Sequence, residues 1–307
     1  MLFKRFSFVA LLLGLMLLSS LPAGTSQSRL KRTIGGREFE RGKWPWLALL
    51  KATRIPMKDN RNRTFSFTCG GVLVSRQWIL GAAHCFKNDS RFDLRETHKW
   101  KAWLGTVDFS SKICDDQFFV KIGKYLKYFF DMQDLSDCRE MGNGVDTIVV
   151  YPGYNSSSGI DDIALIKLWH PVRVDANVRP IILPSPTFKN FPFQGQMCTT
   201  MGWGCTKHRG SASSRAMEIQ IPIKSNSLCR KTYRIRMDRR LCAGYLDRKK
   251  NISTCKGDSG SPLVCKSESG YTLAGILRSG KTSYSRSYPS IFQRVQDYLP
   301  WIKSVIA

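Results

Sequence analysis

Ser259 lies in the segment CKGDSGSPLVC, where it stands between Gly257 and Gly260. Glycine and proline at this density disfavour a helix or a central strand, so the segment is predicted to form a sharp turn that exposes the serine. On such a turn the backbone N–H groups of Gly257 and Ser259 can point together and stabilise an oxyanion as it forms. A serine hydroxyl is a poor nucleophile without a base, so the chain should also supply a histidine and a group that orients it.

His84 is the histidine with the best anchor, because it lies in GAAHC, beside Cys85 at the end of an apolar strand. The other histidines lie among polar or loop residues: His98, His170 and His208. Asp162 opens the apolar segment DIALIKL, so its carboxylate would be drawn into the interior, where an imidazole N–H is a suitable partner. Taken singly these residues are ordinary core or turn residues, but the order His, Asp, Ser together predicts nucleophilic acyl chemistry.

The elements that would position these groups are mostly strands. From residue 66 onward, short β-branched and aromatic runs alternate with clusters of Gly, Pro, Ser and Asn. This pattern predicts an all-β sandwich or barrel. One helix is predicted, at 297–307, where apolar residues recur at helical spacing and Pro300 is tolerated in the first turn.

The N-terminus predicts secretion. Lys4 and Arg5 precede an apolar run that small residues follow, which is the layout of a signal peptide over 1–24. A membrane anchor is the alternative, but the run is shorter than the ~20 residues of a spanning helix. Ten cysteines, an even number, then indicate disulfides, and neither a metal nor another cofactor is expected. Four N-glycosylation sequons fit an extracellular or granule-stored protein: Asn62, Asn88, Asn155 and Asn251.

The chain is strongly cationic, with 48 Lys+Arg against 23 Asp+Glu and a formal net charge of +25. Residues 1–32 carry five basic and no acidic residues, so about +20 remains without them. A solvated basic surface and an affinity for sulfated glycans or other polyanions both explain this charge. No nucleic-acid-binding module is recognised, so a specific nucleic-acid partner is not expected.

The segments GAAHC, DIALIKL, GWG, CKGDSGSP and WIKSVIA resemble the trypsin and chymotrypsin family of serine endopeptidases, over residues 33–307. The resemblance implies that His84 is the general base, Asp162 its orienter and Ser259 the nucleophile, with Gly257 and Ser259 forming the oxyanion hole. It also implies a monomer that cuts protein or peptide substrates through an acyl-enzyme.

The fold implied by the resemblance is two packed six-stranded antiparallel β-barrels, with the catalytic residues in the cleft between them. The first barrel is expected at about 33–175 and the second at about 176–296, followed by the C-terminal helix.

The resemblance further implies a zymogen that is cut before TIGG, so that the new α-amino group of Thr33 pairs with Asp258 and shapes the oxyanion hole. Thr33 departs from the usual Ile, and its hydroxyl needs a partner in an apolar pocket. The propeptide, 25–32, ends in RLKR at Arg32, which resembles the sites of furin-like processing proteases. Maturation is then expected before or during secretion.

Five disulfides are expected. The family's pairing pattern implies three of them: Cys69–Cys85, Cys198–Cys265 and Cys229–Cys242. Cys114 and Cys138 both lie in an apparent insertion, 106–143, and most simply pair with each other. Cys255 lacks its usual partner, and Cys205 follows GWG near the expected pocket, so we expect these two to pair.

The primary specificity pocket is implied to have Ser253 at its floor, where a trypsin-like enzyme has Asp. A substrate Lys or Arg would lose its buried partner, so medium or large uncharged side chains are expected. Ser290 should shorten the pocket; if it is only a strand-edge serine, aromatic side chains fit best. The predicted substrate-binding residues are Ser253, Thr254, Lys256, Arg278, Ser279, Gly280 and Ser290.

Arg278 and Ser279 are the largest departures, because the family commonly reads Ser-Trp-Gly where this chain has Arg-Ser-Gly. If Arg278 points inward, it pairs with Asp162 and weakens the hold on His84; if it points outward, it lines the cleft and favours acidic substrate residues. These departures keep a second class open, a weak or inactive protease homologue that acts as a cationic binding module.

Overall fold

The structure is a computed structural model, and it describes residues 36–307 apart from 60–62, 89, 110–141, 189, 206–209, 211, 248–251, 256 and 279–287. Several predicted features lie outside the described residues: the signal peptide and propeptide, Arg32, Thr33, Asn62, Cys114, Cys138, Asn251, Lys256, Ser279 and Gly280. Within the described part of the chain, no helix is long and apolar enough to cross a membrane.

Six antiparallel strands close into a first barrel in the order β2-β3-β4-β7-β6-β5. They are β2 (Leu47–Pro56), β3 (Thr64–Leu73), β4 (Trp78–Gly81), β5 (Trp100–Leu104), β6 (Asn143–Val150) and β7 (Ala164–Leu168). The interior is filled by apolar side chains such as Leu50, Ile79 and Leu165, all of them at most 1% exposed. Burial of this apolar surface is the main force that holds the barrel closed.

A second sheet runs β9-β10-β13-β12-β11-β8 and closes on itself because β8 also pairs with β9. Its strands are β8 (Met197–Gly202), β9 (Met217–Lys224), β10 (Arg240–Ala243), β11 (Pro262–Ser267), β12 (Gly270–Arg278) and β13 (Ser290–Arg294). A short strand from the start of the described chain, β1 (Arg37–Glu38), pairs with β9 and so joins the second barrel. The predicted fold of two six-stranded barrels is confirmed.

The described residues include two α-helices, one between β9 and β10 and one after β13. The predicted C-terminal helix is present as α2 (Leu299–Ile306), with Pro300 in its first turn and Leu299 and Ile302 buried. The helix α1 (Asn226–Tyr233) was not predicted, because its sequence is mostly polar and it buries only Cys229. The Ser225 hydroxyl caps α1 by accepting a hydrogen bond from the Leu228 N–H.

The two barrels share a core and meet at the candidate site. One apolar cluster contains residues of both, including Leu49 from β2 and Leu273 from β12. At the contact, the Gly70 N–H of β3 donates to the Ser259 carbonyl at 2.7 Å. The segment around Ser259 is therefore fixed by the first barrel as well as by the second.

Four disulfides join the described cysteines: Cys69–Cys85, Cys198–Cys265, Cys205–Cys255 and Cys229–Cys242. They include the expected pairing of Cys205 with Cys255.

Candidate active site

His84 and Asp162 are held together by two hydrogen bonds. The imidazole Nδ1 lies 2.7 Å from Asp162 Oδ2, and the His84 backbone N–H donates to Asp162 Oδ1 at 2.8 Å. Asp162 is only 2% exposed. Burial opposes its ionisation, but the charge and hydrogen bonds of His84 outweigh burial and lower the pKa of Asp162 below its ordinary value. The carboxylate thus stays ionised and fixes the orientation of the imidazole ring.

The elements on either side explain why these two residues meet. His84 lies in a 3₁₀ turn, Ala83–Phe86, that follows β4, and the neighbouring Cys85 is bonded to Cys69 on β3. Asp162 lies just before β7, and every residue of β4 pairs with a residue of β7. The end of β4 and the start of β7 are therefore adjacent, which brings His84 to Asp162.

Asp161, the neighbouring carboxylate, has different partners. It takes a positive φ of 54°, and its side chain accepts hydrogen bonds from the Tyr298 hydroxyl at 2.8 Å and from Arg239 at 3.4 Å. Two adjacent aspartates in GIDDIALIKL thus point to different partners, because the left-handed backbone at Asp161 separates them. Only Asp162 reaches the histidine.

Ser259 stands on the sharp turn that its glycines predicted. Gly257 and Gly260 have φ values of 100° and 84°, a region that favours glycine. A Cβ on Gly260 would also lie 2.3 Å from the Gly70 carbonyl oxygen, so no larger residue fits there. Within the described residues, neither the Gly257 nor the Ser259 backbone N–H donates to a protein acceptor. Both donors of the predicted oxyanion hole are therefore available.

The remaining link of a Ser-His-Asp arrangement is not formed in this structure. His84 Nε2 is buried and has no hydrogen-bond partner among the described residues, so Ser259 Oγ does not donate to it. Such hydrogen bonds are often long before substrate binds and tighten in the complex.

Asp258 is a buried carboxylate held by backbone N–H groups. Gly204 N donates to its Oδ1 at 2.7 Å and Cys255 N to its Oδ2 at 2.8 Å. The Cys205–Cys255 disulfide joins the two segments that carry these donors. Burial nevertheless raises the pKa of Asp258 to about 6, and the two backbone hydrogen bonds offset only part of that effect. A cation beside Asp258 would therefore stabilise its ionised form further.

The described residues of the predicted pocket carry hydroxyl groups that bond to protein atoms. The Ser253 hydroxyl donates to the Thr254 carbonyl at 3.0 Å, and the Thr254 and Ser290 hydroxyls lie 2.7 Å apart. Ser290 opens β13 and is paired with Ala243 of β10. Its hydroxyl is thus directed to Thr254, and the narrowing of the pocket by Ser290 stays a prediction.

Arg278 takes neither of the two orientations considered from the sequence. Its Nη2 donates to the Ser158 carbonyl at 3.0 Å, and the guanidinium covers Gly159, where a Cβ would lie 2.1 Å from Nη2. No hydrogen bond joins it to Asp162 among the described residues, although its charge contributes to the lowered pKa of Asp162. Arg278 therefore holds the turn that precedes Asp162.

Arg240 reinforces the same turn, a role that was not predicted from the sequence. It is 2% exposed, and its guanidinium donates to the Gly159 carbonyl at 2.8 Å and to the Arg236 carbonyl at 2.7 Å. Burial lowers its pKa, and the nearby charge of Arg278 lowers it further. A buried arginine in a strand that reads RLCA could have been suspected as a structural anchor, but its partner could not.

Glu218 is a further buried carboxylate, and its partners lie near the start of the described chain. It is 2% exposed and accepts hydrogen bonds from Arg37, Lys43 and the Trp44 indole, at 2.6, 2.7 and 2.7 Å. Burial opposes its ionisation, but these donors lower its pKa below the ordinary value. Since Arg37 lies in β1 and Glu218 in β9, the cluster fixes the chain four residues after Thr33.

Cys69, His84 and Cys85 also lie close enough to hold a metal, with their candidate ligand atoms within 4.8 Å of one another. The two sulfurs are joined in a disulfide, however, and zinc-type sites need thiolates. These residues therefore do not fit a metal site.

Comparison with known proteins identifies the family. A family model described as Trypsin matches residues 33–128 and 133–302. The chain is 32% identical, over 292 residues, to phenoloxidase-activating factor 3 of Holotrichia diomphalia, an alignment that covers 89% of this chain and 72% of the relative. With its two antiparallel barrels and a family match along most of its length, this chain belongs to the trypsin family.

Proposed function

We propose that this protein is a secreted serine endopeptidase that works through His84, Asp162 and Ser259. The observation that carries the proposal is the pair of hydrogen bonds between His84 and the buried Asp162, in a chain whose Ser259 turn leaves two N–H donors without a protein acceptor among the described residues. Trypsin-family membership alone is a weaker argument, since a fold does not by itself specify an activity.

The proposed chemistry follows from the groups present. His84 Nε2 takes the proton of Ser259 Oγ as that oxygen attacks the substrate carbonyl carbon, and the Gly257 and Ser259 N–H groups bind the oxyanion. His84 then gives the proton to the leaving amine, and an acyl-enzyme remains on Ser259. Water, deprotonated by His84, hydrolyses the acyl-enzyme. Asp162 stabilises the imidazolium throughout.

For substrates, we propose proteins cut after a medium or large uncharged side chain. Ser253, Thr254 and Ser290 offer hydroxyls and no carboxylate, so a buried Lys or Arg would lack a counter-charge. The relative's name describes a factor that activates phenoloxidase. On the basis of that name we propose only that the substrate of this chain is a protein. We also propose that sulfated glycans or other polyanions are partners, because about +20 of the formal net charge of +25 remains without residues 1–32.

Activation is proposed to follow a furin-like cut after Arg32. The cavity beside Asp258 has a volume of only about 10 Å³, so Thr33 would have to widen it on entry; it is lined by Thr200, Met201, Gly202, Met217, Ile219, Thr254 and Asp258. Apolar side chains there suit a buried N-terminal residue, and the two threonine hydroxyls are candidate partners for the hydroxyl of Thr33. The raised pKa of Asp258 is consistent with a carboxylate that gains its cation after cleavage.

The test is labelling of the processed protein with a fluorophosphonate probe, followed by a peptide-library cleavage profile. Labelling in the parent that disappears in Ser259→Ala is expected. Absence of labelling in the correctly processed, folded parent would contradict the proposal.

A weak or inactive homologue is the second candidate, and two observations favour it. The Ser259–His84 hydrogen bond is not formed, and Ser261, where the family usually has glycine, buries a hydroxyl with no partner among the described residues. Recovery of labelling in Arg278→Ser, with none in the parent, would support a triad that is present but disabled. Salt-dependent heparin retention that Ser259→Ala leaves unchanged would then point to a binding role.

A further inference from the structure

A cationic surface groove lies beside the C-terminal end of α1. It has a volume of about 380 Å³ and is lined by Arg230, Arg234, Ile235, Arg236 and Asp238. Three guanidinium groups face one carboxylate, so the lining carries a net charge of +2.

Two of the three arginines form no salt bridge in the described part of the chain, although the charge of Arg230 helps to lower the pKa of Asp238. Asp238 forms a 2.7 Å salt bridge with Arg236, and no salt bridge is formed by Arg230 or Arg234. The Arg234 N–H donates to the Arg230 carbonyl at 2.9 Å, and Arg234 itself has a φ of 55°, so the two sit on one short turn.

Folding alone does not account for this arrangement. The helix dipole favours a cation at the C-terminal end of α1, worth typically ~0.3–1 kcal/mol. Like charges close together oppose that gain, and both Arg234, the left-handed residue that ends α1, and Arg236 extend the cluster beyond the helix. An external anion would supply the salt-bridge partner that Arg230 and Arg234 lack among the described residues, beside an Arg236 that Asp238 already pairs.

We propose that this groove binds the sulfate groups of a sulfated polysaccharide. The planar guanidinium presents paired N–H donors that match sulfate oxygens, and a concave site lets two or three of them converge on one group. The inference deepens the polyanion partner named under the proposed function by assigning its binding surface. It does not depend on catalysis.

The lining favours a sugar chain over the other polyanions. Among the described residues, no aromatic ring lines the groove, whereas single-stranded nucleic acids are held largely by stacking of bases on aromatic side chains. The one apolar lining residue, Ile235, packs against a cluster that contains Met237, so it is not a wedge for a lipid surface.

The experiment compares two double variants of equal net charge in the full-length protein carrying Ser259→Ala. One is Arg230→Ala/Arg234→Ala. The matched control is Arg173→Ala/Arg179→Ala, which removes two exposed arginines that do not line the groove. Binding of a heparin-derived hexasaccharide is measured by calorimetry at several NaCl concentrations around 150 mM.

The groove variant should bind about tenfold more weakly, and its slope of log K against log salt should fall by about two, one for each cation removed. The control should stay within about twofold of the parent. Equal weakening of both variants would overturn the proposal, because a diffuse surface charge would then explain binding. So would a desulfated hexasaccharide that binds as tightly as the sulfated one, or single-stranded DNA that competes for the groove at equal charge.

Failure here would count against the sulfated-glycan partner but would leave the proposed protease activity untouched, because fluorophosphonate labelling reports Ser259 alone. Loss of labelling would likewise leave the groove measurement valid, since that measurement uses the Ser259→Ala protein.

Discussion

The buried carboxylate of Asp258 should make the stability of the unprocessed chain fall as pH rises, and Asp258→Asn should remove that fall. In the described structure its oxygens receive only the Gly204 and Cys255 N–H groups. Burial penalises the ionised form, so the fold binds a proton there more tightly than the unfolded chain does. The contribution is fully present below the unfolded pKa and is lost as pH rises through the folded pKa.

The magnitude follows from the shift of the Asp258 pKa from 3.8 to about 6. At 1.36 kcal/mol per pKa unit, ionisation costs the folded chain about 3 kcal/mol at neutral pH, relative to strongly acidic pH. Roughly 2 kcal/mol of this cost develops between pH 4 and pH 7. Asn at the same position resembles the protonated carboxyl group and does not titrate.

The assay is urea unfolding of the unprocessed chain at pH 4, 5.5 and 7, with its cleavage site blocked by Arg32→Ala in both proteins. Other carboxyl groups titrate alike in the two, so the difference in unfolding free energy isolates Asp258. That difference should move by roughly 2 kcal/mol in favour of Asp258→Asn as pH rises from 4 to 7. Parallel pH profiles would refute the reasoning.

Three further outcomes are expected. Asp162→Asn should lower kcat/KM by up to ~10⁴, because the imidazole loses the carboxylate that orients it. Asp161→Asn leaves that carboxylate in place and should change the kinetics of the folded enzyme little. Equal losses in the two variants would contradict the assignment of Asp162. Ser253→Asp should shift cleavage toward Lys and Arg by about 100-fold, equivalent to about 3 kcal/mol. The substitution also removes the glycosylation sequon at Asn251. Asn251→Gln, which removes the sequon alone, is therefore the control, and it should not shift the preference. Glu218→Gln should cost about 2 kcal/mol of unfolding free energy in urea titrations, since the anchored cations lose their carboxylate; an unchanged midpoint would show that the cluster does not stabilise the fold.

The all-β character of the fold was predictable because its information is local, whereas the two-barrel architecture was implied by the family resemblance. Short apolar strands between Gly and Pro clusters are visible in the sequence, and so is the apolar spacing of α2. The helix α1 was not predicted, because it buries one residue only and therefore lacks a repeated apolar stripe. Its Ser225 cap was present in the sequence, but a cap without an amphipathic run is a weak signal.

Part of the candidate site was likewise predictable from the sequence, and part was not. The types and order of His84, Asp162 and Ser259 are sequence features, and the strand pairing then brings the first two together. The contact of Arg278 with Ser158 joins residues 120 positions apart. No local pattern specifies where such a side chain points, so the sequence left two orientations open and the structure has a third.

That third orientation bears on whether Arg278 disables the site. An arginine paired with Asp162 would compete with His84 for the same carboxylate oxygens, but both oxygens are already engaged by His84. The charge of Arg278 is instead directed to a backbone carbonyl of the Ser158–Gly159 turn, whose other carbonyl receives Arg240. A nearby cation that is not hydrogen-bonded to Asp162 favours the ionised carboxylate and leaves its hydrogen bonds to His84 in place. Arg278 is thus better understood as a support for the turn that precedes Asp162 than as a replacement partner for it.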